Sequence, residues 1–203
     1  MSPITVSLII GSVRPGRFGL RVGRFLQDRF QAQGLNVHLI DPAELKLPLL
    51  VNRFSFLPED QKSDALKSTY AKFVESDAFV VATPEYNHSF SPAISNTLDY
   101  FYHSEFYYKT AGIATYSMGG FGGVRAGVAL RPFLGELGLV SIPKQLPFPV
   151  VQNLLDEEGK ILASAGKSGD IVLDNTAKFA DELAWYATAL KEARASKGVP
   201  EKK

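Results

Sequence analysis

A short segment near the start of the chain, residues 11–19, combines groups that bind a phosphate. Its glycines let backbone amides come close to an anion, and Ser12, Arg14 and Arg17 add a hydroxyl and two guanidinium groups. A helix beginning near Phe18 directs the positive end of its dipole toward the same place. The segment has neither the Gly-Lys-Ser/Thr ending of a Walker loop nor a Gly-x-Gly-x-x-Gly pattern, so a single terminal phosphate fits better than a pyrophosphate or triphosphate. The alternative is a turn carrying two exposed arginines.

A second segment, residues 83–89, suits contact with the edge of a planar heterocycle through backbone N–H and C=O groups. Its candidate contacts are Pro84, Glu85, Tyr86, Asn87 and His88. His88 also invites a role as general base, but ligand contact or support of the loop is the favoured interpretation, because no second histidine or carboxylate cluster accompanies it. Glu85 is equally compatible with a solvent-facing charge, and the whole segment with an ordinary turn.

The third segment, residues 117–123, is dense in glycine. Ser117, Met118, Gly119 and Gly120 offer free amides and small residues where a flat ring needs clearance. A glycine-rich turn with left-handed backbone explains the composition equally well.

Composition excludes several kinds of chemistry. The chain has no cysteine, which removes thiol catalysis, cysteine-ligated metals and disulfides. Ser117 does not lie in a Gly-x-Ser-x-Gly elbow, and the three histidines are not spaced as a zinc pair. We therefore predict no metal site and no nucleophilic residue.

Charge and hydropathy bear on partners and location. A formal net charge of +1 supplies no basic field for nucleic acid or an anionic membrane. No apolar stretch approaches the roughly 20 residues that span a bilayer, and the first residues do not resemble a secretory signal. The expectation is a soluble cytoplasmic protein.

Alternating strand and helix patterns position the three segments. Strands are predicted at residues 4–10, 35–40, 78–83, 110–116 and 139–142, the last resuming near 149–151, and helices at 20–33, 65–75, 92–102, 124–137 and 171–194. This alternation predicts an α/β fold, a flavodoxin-like three-layer sandwich with a five-stranded parallel sheet of order 2-1-3-4-5. Residues 1–194 then form a single domain, followed by a polar tail at 195–203. In that order, the three segments follow neighbouring strands and meet at one edge of the sheet.

Aromatic residues cluster at 100–102 and 106–108, more than one helix face can bury. Part of this run is interpreted as a subunit interface. The alternative is that the rings pack beneath the proline-punctuated connection, residues 48–57.

The chain resembles the NADPH-dependent FMN reductase family, which includes quinone-, azo- and chromate-reducing members. The resemblance rests on four motifs that occur in the same order as in the family, at residues 11–17, 83–89, 96–99 and 117–125. The similarity runs from about residue 4 to residue 151, and residues 156–159 also look similar. The resemblance implies a flavodoxin-like fold and noncovalently bound FMN. Family members are usually dimers or tetramers, which implies a homodimer or homotetramer.

The resemblance also implies a role for each segment. The phosphate of FMN would be held by Ser12, Arg14, Arg17, Phe18 and Gly19. The isoalloxazine would be lined by Pro84, Glu85, Tyr86, Asn87 and His88, with Ser117, Met118, Gly119 and Gly120 at its far edge. NADPH or NADH would pass hydride through FMN to a small acceptor such as a quinone, free flavin, azo compound or metal oxyanion, so no catalytic side chain is predicted.

Some residues depart from the family pattern. Many relatives have serine and asparagine where this chain has Arg17 and Gly19, which shifts the expected phosphate contacts toward charge and backbone amides. Two other functions remain open, a flavodoxin-type electron carrier and a non-catalytic protein of the same fold. Such carriers are typically very acidic, and a net charge of +1 argues against that class.

Overall fold

Parallel strands form one twisted sheet in the computed structural model, which describes residues 3–200. Over that range the sheet has five strands in the order β2-β1-β3-β4-β5. The strands are β1 (Thr5–Ile10), β2 (Asn36–Ile40), β3 (Ala78–Pro84), β4 (Thr110–Tyr116) and β5 (Val140–Phe148). The predicted flavodoxin-like α/β architecture and its strand order are confirmed.

Helices cover both faces of the sheet. They are α1 (Phe18–Ala32), α2 (Pro42–Leu45), α3 (Asp64–Glu75), α4 (Pro92–Asp99), α5 (His103–Phe106), α6 (Val124–Glu136) and α7 (Gly166–Lys197). Within residues 3–200, none of them combines the length and the apolar composition that a membrane span requires.

The two faces of β3 show why three layers form. Val80 and Ala82 belong to the apolar cluster beneath α1 and α7. Phe79 and Val81 belong to the opposite cluster, which includes buried residues of α3, α4 and α6. Because successive side chains of a strand point to opposite faces, a strand that is apolar at every position must be covered on both sides. This packing fixes the carboxyl ends of β1, β3 and β4 side by side.

Two elements differ from the sequence prediction. β5 runs without a break from Val140 to Phe148, although it contains Pro143 and Pro147. It lies at the edge of the sheet, where a missing N–H is tolerated, and its pairing with β4 shifts register between Ala111 and Ile113. α7 begins at Gly166, five residues before the predicted start, and continues three residues into the segment expected to be a tail.

The connection between β2 and α3 is packed against α4. The Asn96 amide donates to the Pro48 carbonyl at 2.9 Å and accepts from the Leu50 amide at 2.8 Å. Phe54 stacks on Tyr70, with ring centroids 4.5 Å apart.

The aromatic run lies partly beneath this connection. Tyr100, Phe101 and Phe106 are buried within the chain, and Phe101 packs against Phe54. For Tyr100 and Phe101 the alternative interpretation is therefore correct, whereas Phe106 packs against Phe73 and Phe79 in the core. Tyr102, in contrast, remains exposed.

Candidate functional site

A cavity of about 360 Å³ opens where the ends of β1, β3 and β4 meet. Its volume lies in the range of roughly 300–1,000 Å³ that is usual for small-molecule sites. Of the residues proposed from the sequence, those that line it are Ser12, Arg14, Arg17, Phe18, Pro84, Glu85, Tyr86, Ser117 and Met118. The topology thus brings together side chains that are more than 100 positions apart in the chain.

The remaining proposed residues border the cavity rather than line it. Gly19 lies against Tyr116, whose hydroxyl would collide with a side chain at this position. Asn87 and His88 are exposed and have left-handed backbone, with φ of 51° and 65°. They form the tip of a tight turn in which the Tyr86 amide donates to the Ser89 carbonyl at 2.9 Å. Asn and His are among the non-glycine residues that adopt this conformation most readily.

The first loop presents donors that suit an anion. α1 begins at Phe18, and no side chain caps its amino end. Its first backbone amides therefore have no side-chain acceptor. Arg17 forms an ion pair with Asp41 at the end of β2. Its buried Nε has no hydrogen-bond partner among residues 3–200. Arg14 lies over the ring of Tyr86, 4.0 Å from its centroid.

Two tyrosine hydroxyls enter the same region. Ser12 Oγ and Tyr86 Oη are 3.0 Å apart, a hydrogen bond that links the first and second loops. Tyr116 Oη is buried and, although Ser12 lies beside it, no group within the described part of the chain has hydrogen-bonding geometry to it. Burial, with a smaller contribution from Tyr86, raises the pKa of Tyr116 well above its ordinary value. Tyr116 therefore remains a neutral donor at physiological pH.

Glu85 anchors the second loop to α6. Its carboxylate is only 7% exposed and accepts from Arg125 Nε at 2.6 Å and from the Arg125 amide at 3.3 Å. An acid at the amino end of a helix is favoured by the helix dipole. The sequence was compatible with two roles for Glu85, a solvent-facing charge or a ligand contact. In the structure Glu85 lines the cavity, and its carboxylate is paired with Arg125.

Glycines of the third loop fall into two classes. Gly122 and Gly123 have φ of 61° and 81°, and a Cβ at Gly123 would lie 2.9 Å from the Tyr116 carbonyl oxygen. The turn itself requires glycine there. Gly119 and Gly120 are not left-handed, and a Cβ at Gly120 would meet nothing. The fold does not explain these two glycines, which leave open space beside Met118.

Sequence reasoning missed two lining residues outside the three segments, Tyr116 and Val151, and did not single out Pro15 and Gly16 within the first segment. Tyr116 is the last residue of β4, and its position just before the glycine-dense turn was a usable signal. Val151 reaches the cavity because β5 continues to Phe148, a continuation that its prolines concealed.

Comparison with known proteins identifies relatives over most of this chain. The family model described as NADPH-dependent FMN reductase matches residues 4–152. The chain is 28% identical to an NADPH azoreductase of Bacillus sp. strain OY1-2 over 96% of this chain and 99% of the relative. It is 27% identical to an NAD(P)H-dependent FMN reductase of Saccharomyces cerevisiae over 65% of this chain and 74% of the relative.

Solved structures show the same fold. A flavoenzyme NAD(P)H:acceptor oxidoreductase of Paracoccus denitrificans superposes with a TM-score of 0.70 at 22% identity, over 90% of this chain and 98% of the other. An NADH:FMN oxidoreductase in its apo form superposes with a TM-score of 0.66 at 16% identity, over 98% and 97% of the two chains. At these identities the superpositions establish the fold, whereas the family match covers most of the sequence. The chain therefore belongs to the NADPH-dependent FMN reductase family and is an oxidoreductase of that type.

Proposed function

We propose that this protein binds FMN noncovalently in the cavity and passes reducing equivalents from NAD(P)H to a small acceptor. The observation that carries the proposal is the convergence of anion donors and an open cavity at one edge of the sheet. The name of the Bacillus relative favours an azo compound as acceptor. Quinones, free flavin and metal oxyanions belong to the same proposal.

The residues present fit FMN at both ends of the cavity. The uncapped amides of α1 and the unpartnered Arg17 Nε suit a phosphate. Tyr116 Oη is a buried donor without a partner in the described chain, and Gly119 and Gly120 leave space that the fold does not need. Buried polar groups in native proteins are nearly always hydrogen-bonded, so these donors support a bound ligand.

The protein and the cofactor divide the work. FMN, when bound, supplies the hydride chemistry. Ser12, Arg14 and Arg17 would hold the phosphate, and the backbone of residues 84–88 and 117–120 would orient the ring. The Glu85–Arg125 pair keeps the second loop in place. No described side chain is needed as a proton donor in this scheme, so the protein contributes position and hydrogen bonds.

Spectroscopy of the purified protein tests the proposal. After incubation with FMN and desalting, we expect a bound-flavin absorption spectrum that bleaches on anaerobic mixing with NADPH and returns when a quinone or azo dye is added. Retention of FMN without bleaching would instead identify an electron carrier. A protein that takes up no FMN would be a non-catalytic member of the fold.

We also propose a homodimer or homotetramer. The support is a group of exposed apolar side chains on the connection between β2 and α3, where Leu49 is 82%, Val51 86% and Phe56 70% exposed. Such a group is uncommon on a monomer surface. Light scattering on the eluted protein should give a mass of two or four chains, and a monomer at micromolar concentration would contradict the proposal. A cytoplasmic location remains a prediction of the sequence.

A further inference from the structure

A second cleft lies on the outer side of the first loop. It has a volume of about 410 Å³ and is bounded by residues 13–17, the first turns of α1 and Glu157. Four arginines line it, Arg14, Arg17, Arg21 and Arg24. We call it the arginine cleft. Arg14 and Arg17 also line the cofactor cavity, so the two spaces adjoin, whereas Arg21 and Arg24 line only the cleft.

Helical spacing and a fixed turn build this cleft. Arg21 and Arg24 are three residues apart in α1, which places them on one face of the helix, and Arg17 immediately precedes its first residue. Arg21 Nη1 donates to the Leu155 carbonyl at 3.1 Å, and Arg24 Nη1 to the Glu157 carbonyl at 2.9 Å. These bonds hold the turn at residues 156–159 against the helix.

Gly159 sets how closely that turn approaches. Its φ is +79°, and a Cβ would lie 2.6 Å from the Arg21 carbonyl oxygen and 2.7 Å from the Phe25 amide. Only glycine fits this contact. The wall of the cleft is therefore fixed by backbone packing, and the hydrogen bonds to Leu155 and Glu157 hold the Arg21 and Arg24 guanidinium groups against it.

The positive charge of the cleft is only partly compensated. Arg17 pairs with Asp41. The Glu157 carboxylate is 82% exposed and lies 3.6 Å from Arg21 Nη2, which is an ion pair beyond hydrogen-bond length. A guanidinium has five N–H donors, so the backbone bonds of Arg21 and Arg24 leave most of their donors for a ligand. An incoming anion would compete with Glu157.

The arginine side chains of the cleft favour a phosphate monoester as the ligand. Several planar forks that converge on one space suit a dianion with three free oxygens better than a diester or a carboxylate. The proposed function already brings a ligand to the adjoining cavity that can carry such a group, because NADPH has a 2′-phosphate that NADH lacks. We propose that the arginine cleft binds the 2′-phosphate of NADPH, and that Arg21 and Arg24 favour NADPH over NADH. This inference rests on the proposed function.

Binding of nucleotide fragments to the FMN-loaded protein, followed by calorimetry, tests the inference. ADP-ribose carrying a 2′-phosphate should bind at least about tenfold more tightly than ADP-ribose, which has no phosphate monoester, the difference expected for charge-assisted hydrogen bonds. Arg24→Gln should abolish most of that difference, raise KM for NADPH but not for NADH, and leave the FMN affinity unchanged. Arg29→Gln, an exposed arginine of the same helix outside the cleft, is the control.

A second variant tests the cleft while leaving the arginines and their hydrogen bonds to the backbone in place. Glu157→Gln removes the competing carboxylate and should tighten binding of ADP-ribose carrying a 2′-phosphate by about threefold, in the range of a surface ion pair. Glu158→Gln removes the same charge from an exposed neighbour that does not line the cleft and should have no such effect.

Several outcomes would overturn the inference. In one, ADP-ribose binds the unmodified protein as tightly as ADP-ribose carrying a 2′-phosphate. In another, inorganic phosphate alone binds as tightly as ADP-ribose carrying a 2′-phosphate, which indicates a free-phosphate site. Loss of FMN affinity in Arg24→Gln would assign the cleft to the cofactor. If the protein takes up no FMN at all, the proposed function fails, and the same titrations on the cofactor-free protein still test the cleft.

Discussion

Arg14 and Arg17 illustrate how two similar residues occupy different electrostatic environments. Arg14 rests on the Tyr86 ring, whereas Arg17 is paired with Asp41, whose side chain is 11% exposed. Removal of Arg17 would leave that carboxylate unpaired close to the proposed phosphate position, and the two anions would repel each other. We therefore expect the two arginines to contribute unequally to binding of the FMN phosphate.

We expect the Arg14→Ala, Arg17→Ala double variant to weaken FMN binding by about a hundredfold or more, since each charge-assisted contact is worth about 1.5–3 kcal/mol. Of the single variants, Arg17→Ala should have the larger effect. Quenching of FMN fluorescence gives the dissociation constants, and far-UV circular dichroism checks the fold. Unchanged FMN affinity in the double variant would remove the phosphate assignment.

Tyr116→Phe should change stability and binding in opposite directions. Its hydroxyl is buried without a partner in the described chain, so its removal should raise the free energy of unfolding of the cofactor-free protein by about 1 kcal/mol. FMN affinity should fall, because a donor is lost from the cavity. Urea denaturation and FMN titration measure the two effects. Tyr86→Phe is the control, since its hydroxyl bonds Ser12 and its loss cannot stabilise in this way.

At the scale of elements, the connection between β2 and α3 depends on one amide. Besides the two Asn96 hydrogen bonds, the Tyr100 hydroxyl donates to the Pro48 carbonyl at 3.1 Å. Asn96→Ala should lower the local stability of residues 47–57 by about 2 kcal/mol, near 1 kcal/mol for each bond. Limited proteolysis should then cut this segment much faster. Ser95→Ala, at a half-buried neighbour whose hydroxyl bonds the Pro92 carbonyl of the same helix, should not; equal cleavage of both variants would refute the role of Asn96.

Lys109 is buried, and its side chain binds backbone carbonyls at the carboxyl end of α3. Its Nζ donates to the carbonyls of Phe73 and Val74 at 2.8 and 3.0 Å. Burial, and next the charge of Arg194, lower the pKa of Lys109 to about 8, although Asp77 and Glu105 oppose the shift.

This lowered pKa gives a pH dependence of stability. Between pH 8 and 10.5 the native state releases a proton that the unfolded chain retains, so the free energy of unfolding rises with pH, and below pH 8 this contribution is absent. From pH 7.5 to 9.5 we expect a rise of about 2 kcal/mol in the unmodified protein relative to Lys109→Met. Urea unfolding at the two pH values provides the comparison. Parallel pH profiles of the two proteins would contradict the assignment.

At the scale of the whole molecule, Asp77 connects distant parts of the chain at the edge of the sheet opposite the cavity. Its carboxylate bonds the Thr5 amide at 3.2 Å, Lys191 at 2.8 Å and Arg194 at 3.2 Å. These contacts join β1, the start of β3 and the carboxyl end of α7.

Asp77→Asn should lower the free energy of unfolding by about 2–3 kcal/mol, because two cations lose a buried partner. Asp174→Asn breaks an exposed pair with Lys178 and should cost less than about 1 kcal/mol. If residues 1–194 form one domain, as we propose, Asp77→Asn should shift a single cooperative transition without splitting it. FMN affinity should not change, since Asp77 is remote from the cavity. A second transition in calorimetry would indicate independent units.

By itself the sequence determined the strand order and the three loops that form the cavity, because apolar runs and helical periodicity are local properties. It also placed most of the lining residues, since parallel strands necessarily end at the same edge. Only the tertiary structure decided which groups face one another. The pairing of Arg17 with Asp41, of Glu85 with Arg125, and the arginine cleft against the turn at Gly159 all join residues far apart in the chain. Such contacts depend on how layers pack, and no local pattern encodes them.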